Sequence, residues 1–61
     1  MDFKRTINNK TGKTTYYVDG KRVSAELFGL KEIICKRAGM NYNSSLTSVN
    51  NGYTRHYHSY N

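Results

Sequence analysis

The chain has 61 residues, with ten Lys and Arg against four Asp and Glu and a formal net charge of +6 at pH 7. A chain of this size buries only about 60% of its unfolded surface, which leaves no room for an enclosed catalytic cleft. Cys35 is the single cysteine, so an internal disulfide is excluded. The positive charge favours nucleic acid or another polyanion as partner, with binding that weakens as salt rises.

Several functional classes find no support in the sequence. No apolar run approaches the roughly 20 residues of a membrane span, and the N-terminus lacks the apolar core of a signal peptide. The four carboxylates are spread along the chain, without a nucleophile–base pair or a phosphate-binding loop. We therefore expect a cytoplasmic protein that is not an enzyme, contacts no membrane and carries no cofactor.

The sequence pattern of residues 1–23 predicts β-strands. Residues 3–7 alternate apolar and polar side chains, and residues 14–18 are β-branched and aromatic. Asp19-Gly20 is a strong signal for a type I′ hairpin turn, after which residues 21–23 return as a short third strand. Tyr16 and Tyr17 point to opposite faces of their strand, so we expect one in the core and the other on the surface.

Residues 24–39 predict a helix. Ser24 is a good N-cap, and Gly39 is a typical helix end with cations in the turn before it. One apolar stripe runs along this helix at positions i, i+3, i+7 and i+11, and it consists of Leu27, Leu30, Ile34 and Ala38. The opposite side carries Ala25, Glu32 and Lys36.

The last third of the chain allows two interpretations. Leu46 and Val49 have the i, i+3 spacing of a short helix, which favours a turn and a second helix over residues 40–52. Residues 46–49 and 53–57 also flank Asn50-Asn51-Gly52, which suits the loop of a hairpin. With the helix preferred, residues 53–61 are expected to be a disordered tail or an edge strand.

Residues 35–41, CKRAGMN, and 46–52, LTSVNNG, resemble the helix-turn-helix of phage repressors and related bacterial regulators. Cys35 matches the small residue where the helices cross, Gly39 the turn, and Met40 the apolar residue after it. Leu46 and Val49 match two further apolar positions of the motif, but each comes one residue later than the spacing of the family. The resemblance implies a phage or bacterial origin. Together with the strands it predicts a single α+β domain over residues 1–61, in which a β-hairpin or three-stranded meander packs on a two-helix unit.

The resemblance also implies that the second helix meets double-stranded DNA. Its Asn, Ser and Thr side chains would contact bases, while cations on the strands and tail would hold phosphates. The predicted nucleic-acid-binding residues are Lys21, Arg22, Tyr42, Asn43, Ser44, Thr47, Ser48, Asn51, Arg55 and His56. One small module buries only roughly 600–1,000 Å², so specific recognition would need a homodimer or a partner.

Other functions compete with this prediction. The chain also resembles, in size and style, small phage-encoded anti-defence proteins such as anti-CRISPRs, which implies an inhibitor or adaptor that binds a host protein such as a defence nuclease. Tyr53, Tyr57 and Tyr60 suit stacking on the bases of single-stranded DNA or RNA. His56, His58 and Cys35 are the soft metal ligands available, and because zinc normally takes four ligands we expect no metal site.

Overall fold

A computed structural model describes the backbone over residues 1–61 and the side chains over residues 1–43 and 46–61. Along this backbone the elements are β1 (Asp2–Asn8), β2 (Thr14–Val18), β3 (Lys21–Val23), α1 (Ala25–Arg37), β4 (Tyr42–Asn50) and β5 (Tyr53–Tyr60). The strands form one antiparallel sheet in the order β3-β2-β1-β5-β4. Helix α1 joins the two edge strands and packs on one side of the sheet, the helix face; the other side is the open face. No helix in the described chain is long and apolar enough to cross a membrane.

The predicted N-terminal meander is confirmed. Asp19 and Gly20 have φ angles of 52° and 81°, as a type I′ turn requires, and Gly20 adopts this conformation without the steric cost that a Cβ would bring. The Asp19 carboxylate also accepts a hydrogen bond of 2.9 Å from the backbone N–H of Asp2, which fastens the turn to the start of β1. The first three strands therefore form from signals that lie within a few residues of one another.

The first predicted helix is also confirmed at both ends. Ser24 is the N-cap, and its Oγ accepts a 3.1 Å hydrogen bond from the backbone N–H of Leu27. Such a bond satisfies one of the free N–H groups of the first turn. Helix α1 ends at Arg37, with Ala38 as C-cap and Gly39 directly after it. The chain then turns toward the far edge of the sheet.

The predicted short helix within residues 40–52, by contrast, is wrong, because Tyr42–Asn50 is strand β4. The hairpin alternative is the one that forms, and Asn51 and Gly52 make its turn with φ angles of 53° and 77°. Ser, Thr and Asn weaken a helix interior by bonding to their own backbone, whereas β5 pairs with this segment along its length, apart from a register shift between Asn43 and Leu46. The α+β class is confirmed, but the two-helix unit of a helix-turn-helix does not form.

The expected tail or edge strand at residues 53–61 is a central strand instead. Strand β5 pairs with β1 on one side, where Phe3 faces His58, and with β4 on the other, where Leu46 faces Tyr57. The sequence shows the alternation of this segment, but it does not show that the second edge of β1 is available to pair with it. Pairing with β1 places the two ends of the chain beside each other in the middle of the sheet.

The core lies between α1 and the helix face, and its buried residues are Phe3, Val18, Phe28, Cys35 and Tyr60. The Phe3 ring makes edge contacts with the rings of Phe28 and Tyr60, at centroid distances of 5.2 and 5.6 Å. It also stacks on the His58 ring at 5.1 Å. A core of so few side chains depends on each of these aromatic contacts.

The apolar stripe of α1 does not face this core. Leu27, Leu30 and Ile34 are 39%, 54% and 55% exposed, whereas Phe28 and Cys35 are buried. Phe28 and Cys35 are seven residues apart, so they lie on one side of the helix. The helix therefore has two apolar sides, and the side with the aromatic ring packs against the sheet because Phe3 and Tyr16 contact that ring.

Candidate nucleic-acid interface

The open face is built from alternate side chains of each strand, as the strand register requires. One row crosses all five strands, and from β3 to β4 it consists of Arg22, Tyr17, Lys4, Tyr57 and Leu46. Neighbouring strands are about 4.8 Å apart, so the two tyrosines flank Lys4 at roughly 10 Å from each other. We call these five residues the central row.

Cations and aromatic rings alternate along the central row. The Lys4 ammonium lies 4.3 Å from the centroid of the Tyr17 ring, a cation–π contact that holds this charge above the sheet. Tyr57, on the other side of Lys4, is 39% exposed. The row therefore presents positive charge and π surface side by side.

Polar and cationic side chains continue the open face beside the central row. Thr6 pairs with Thr15 on one side and with Arg55 on the other, and Arg55 faces Ser48 on β4. Next to them is a shallow cavity of about 190 Å³, lined by Thr6, Asn8, Lys13, Thr15, Arg22 and Tyr53. Two cations with hydroxyl and amide donors are the side chains that contact phosphate oxygens in nucleic-acid complexes.

The open face carries more cations than carboxylates. Among the described side chains it carries Lys4, Arg22 and Arg55, and the strand register places one carboxylate, Asp2, on it. Of the other acidic residues, Glu26 and Glu32 belong to α1 on the opposite side of the sheet and Asp19 lies in the β2–β3 turn. The helix side is positive as well, because Arg5, Lys21, Lys31, Lys36 and Arg37 outnumber Glu26 and Glu32, so the open face is distinguished by its rings beside cations and not by its share of the net charge.

The residues predicted to bind nucleic acid divide between the two faces. Those on the open face are Arg22, Asn43, Ser48 and Arg55. Those on the helix face are Lys21, Tyr42, Thr47 and His56. Asn51 lies in the β4–β5 turn, and the side chain of Ser44 lies outside the described residues. The single recognition surface expected from residues 43–51 is wrong, because a strand sends alternate side chains to opposite sides.

Several side chains of the open face and of the cavity beside it were missing from the predicted set: Lys4, Thr6, Lys13, Thr15 and Tyr17. Their signal in the sequence is a period of two, in which cations, hydroxyls and tyrosines occupy alternate positions of β1, β2 and β5. Of the tyrosines considered for stacking, Tyr53 and Tyr57 are 40% and 39% exposed, but Tyr60 is buried. Tyr17 takes its place, because it lies on the open face while Tyr16 packs against the core.

A polar cluster on the helix face ties α1 to β5. Glu32 Oε2 accepts a 3.0 Å hydrogen bond from the Tyr60 hydroxyl and lies 2.6 Å from His58 Nε2. The histidine contact is close enough for an ion pair when the ring is protonated, but its angle is not that of a hydrogen bond. Burial and then the bond to Glu32 raise the pKa of Tyr60 to about 12. The cluster packs helix on sheet, so its role is structural.

Comparison with known protein families, curated proteins and solved structures finds no match for this chain. Among the described side chains, no three His, Cys, Asp or Glu residues lie together in a group that could hold a metal ion. The open face is therefore interpreted from its own chemistry. Its distinguishing features are the alternation of charge and rings in the central row and the cationic cavity beside it.

Proposed function

We propose that the protein binds single-stranded nucleic acid on the open face of its sheet. The central row carries this proposal, because tyrosine rings beside cations, the exposed Tyr57 and the half-buried Tyr17, are the combination that binds bases and phosphates together. The bases of a single strand have free faces that stack on tyrosine, and its phosphates pair with neighbouring Lys and Arg side chains. Stacking of this kind tolerates any base, so we expect little sequence preference.

The shape of the open face favours a single strand over a duplex. The major groove of DNA is about 12 Å wide and admits a helix or a two-stranded ribbon. Five strands at the usual spacing span roughly 19 Å, which is too broad to enter it. Helix α1 does not offer a substitute, because its outward side carries the exposed Leu27, Leu30 and Ile34.

A titration of labelled oligonucleotides tests this function. The probes are oligo(dT) and oligo(U) of about 12 nucleotides and a duplex of equal length, a size within the usual range of single-strand sites. At low salt we expect tighter binding to the single strands than to the duplex. Tyr57→Ala should weaken single-strand binding about 5- to 150-fold, because stacking contributes roughly 1–3 kcal/mol per base. Tyr57→Phe keeps the ring and should retain most of the affinity.

Tyr42→Ala is the matched control, since Tyr42 is also an exposed tyrosine, at 54%, but lies on the helix face. It should leave the affinity for oligo(dT) unchanged. Equal losses from Tyr57→Ala and Tyr42→Ala would show that the open face is not the binding surface. Absence of single-strand binding at low salt would refute the proposed function itself.

A further inference from the structure

The outward side of α1 is apolar along its length and has charged ends. Leu30 and Ile33 are 54% and 47% exposed, and Glu26 in the first turn and Arg37 in the last turn are also exposed. At about 100° per residue these four side chains lie within about 60° of one another, centred opposite the buried Phe28. Exposed apolar patches rimmed by charge mark surfaces that contact other proteins.

We propose that α1 packs antiparallel against α1 of a second copy of this chain. The stripe is self-complementary: the midpoint between Glu26 and Arg37 coincides with the midpoint between Leu30 and Ile33, and both fall between residues 31 and 32. A two-fold axis at that point brings Glu26 next to the partner's Arg37 and Leu30 next to the partner's Ile33. Each contact then occurs twice, as in an isologous interface.

Charge selects the antiparallel direction. A parallel pair would bring each Glu26 next to its copy and each Arg37 next to its copy, and like charges in contact are unfavourable. The antiparallel pair joins opposite charges. It also places the positive end of each helix dipole beside the negative end of the other. Leu27 and Ile34, 39% and 55% exposed, lie beside this stripe and widen the apolar contact.

The size of the contact predicts a weak dimer. Helix α1 has 13 residues and is therefore about 20 Å long. A single helix pair of this length falls at or below the low end of specific interfaces, roughly 1,200 Å² in total. Because α1 lies on the helix face, pairing leaves both open faces uncovered on the outer sides of the dimer. The inference concerns a different surface from the one that the proposed function uses.

Sedimentation equilibrium of the whole chain tests the pairing without any nucleic acid. Between about 10 μM and 1 mM, a range that suits a weak complex, we expect the average mass to rise from the chain mass of 7.1 kDa toward twice that value. Leu30→Lys should raise the dissociation constant on the order of 100-fold, because the lost apolar contact is present twice. Leu30 is half exposed, so the variant keeps its fold, which circular dichroism verifies.

Charge reversal tests the direction of packing. Glu26→Arg and Arg37→Glu should each weaken self-association on the order of 10-fold, since each variant places like charges in contact twice. An equimolar mixture of the two variants restores opposite charges and should dimerise as the unmodified chain does. Lys10→Glu is the control, because it changes the charge as Arg37→Glu does, at an exposed position of the β1–β2 turn.

Three outcomes would overturn the inference. An average mass that stays at the mass of one chain over the whole concentration range would show that the chain does not self-associate. The apolar side of α1 would then contact a different protein. Self-association that survives Leu30→Lys would place the contact elsewhere, for example on the edge strand β4. A mixture of the charge variants that fails to associate would exclude the antiparallel arrangement. None of these results depends on nucleic-acid binding, so the proposed function stands or falls separately.

Discussion

At the scale of single residues, Phe28 and Ile34 distinguish the two apolar sides of α1. Phe28 is 7% exposed and contacts the rings of Phe3 and Tyr16, whereas Ile34 is 55% exposed. Packing against two rings requires a large side chain in the helix, and Phe28 is the one that reaches them. Helix α1 therefore stabilises the fold through the side that carries Phe28, although this side has few apolar residues.

Truncation of each side chain measures this difference. Phe28→Ala should lower the free energy of unfolding by about 3–5 kcal/mol. A chain of 61 residues has roughly 3–9 kcal/mol in total, so this variant should lose a large part of its stability. Ile34→Ala should change the value by no more than about 0.5 kcal/mol, as is usual at the surface. Urea denaturation at low protein concentration gives both values, and a larger loss for Ile34→Ala would mean that the helix is buried by its other side.

At the scale of elements, the β4–β5 hairpin shows how a turn determines the pairing of strands. Asn51 and Gly52 both have positive φ angles, the conformation of a type I′ turn, and this turn brings β4 alongside β5. The second helix predicted within residues 40–52 would end at the same two residues, because Asn and Gly also follow helices. A helix end and a hairpin turn share this local signal, and pairing with β5 selects the hairpin.

Two Gly→Ala variants with opposite expected effects test these backbone conformations. At both Gly52 and Gly29 an added Cβ would meet open space, so only the backbone conformation matters. Gly52 has a φ of 77°, where Ala costs about 1–2 kcal/mol. Gly29 lies inside α1, where Ala should stabilise by about 1 kcal/mol. Thermal or urea denaturation measures both, and a neutral Gly52→Ala would contradict the left-handed turn.

At the scale of the whole molecule, the helix and the cationic surface lie on opposite sides of a thin structure measuring 36 × 22 × 15 Å. One layer of helix on one layer of sheet leaves a complete sheet face in solvent. That face collects Lys4, Arg22 and Arg55 from three strands, beside one carboxylate, Asp2. Cations that lie close together on one sheet face produce a local positive field there.

The salt dependence of binding tests whether the position of these cations matters. Lys4→Ala removes a cation of the central row and should lower the slope of log K against log salt by about 0.7 for oligo(dT), the release expected for one phosphate contact on a single strand. Lys36→Ala removes the same charge from α1 and should leave the slope unchanged. Equal effects would indicate that only net charge attracts the oligonucleotide. A fluorescence titration at several salt concentrations gives the slopes.

Taken by itself, the sequence determined the elements whose signals are local. Alternation predicts β1, β-branched and aromatic residues predict β2, Asp19-Gly20 predicts the hairpin to β3, and Ser24 with Gly39 brackets α1. Each signal acts through sterics or hydrogen bonds over a few residues, so no other part of the chain is needed to interpret it. The positive charge, which follows from composition alone, belongs to the same group.

Only the tertiary structure decided how these elements combine. The position of β5 between β1 and β4 converts residues 42–50 into a strand and separates the predicted site residues between two faces. The same sheet brings Arg22, Tyr17, Lys4 and Tyr57 into one row, although they are distant in the sequence. Strand pairing joins residues far apart in the chain, and the energy of such a pair depends on which strand lies opposite. For that reason local patterns predict the parts of this protein but not its open face.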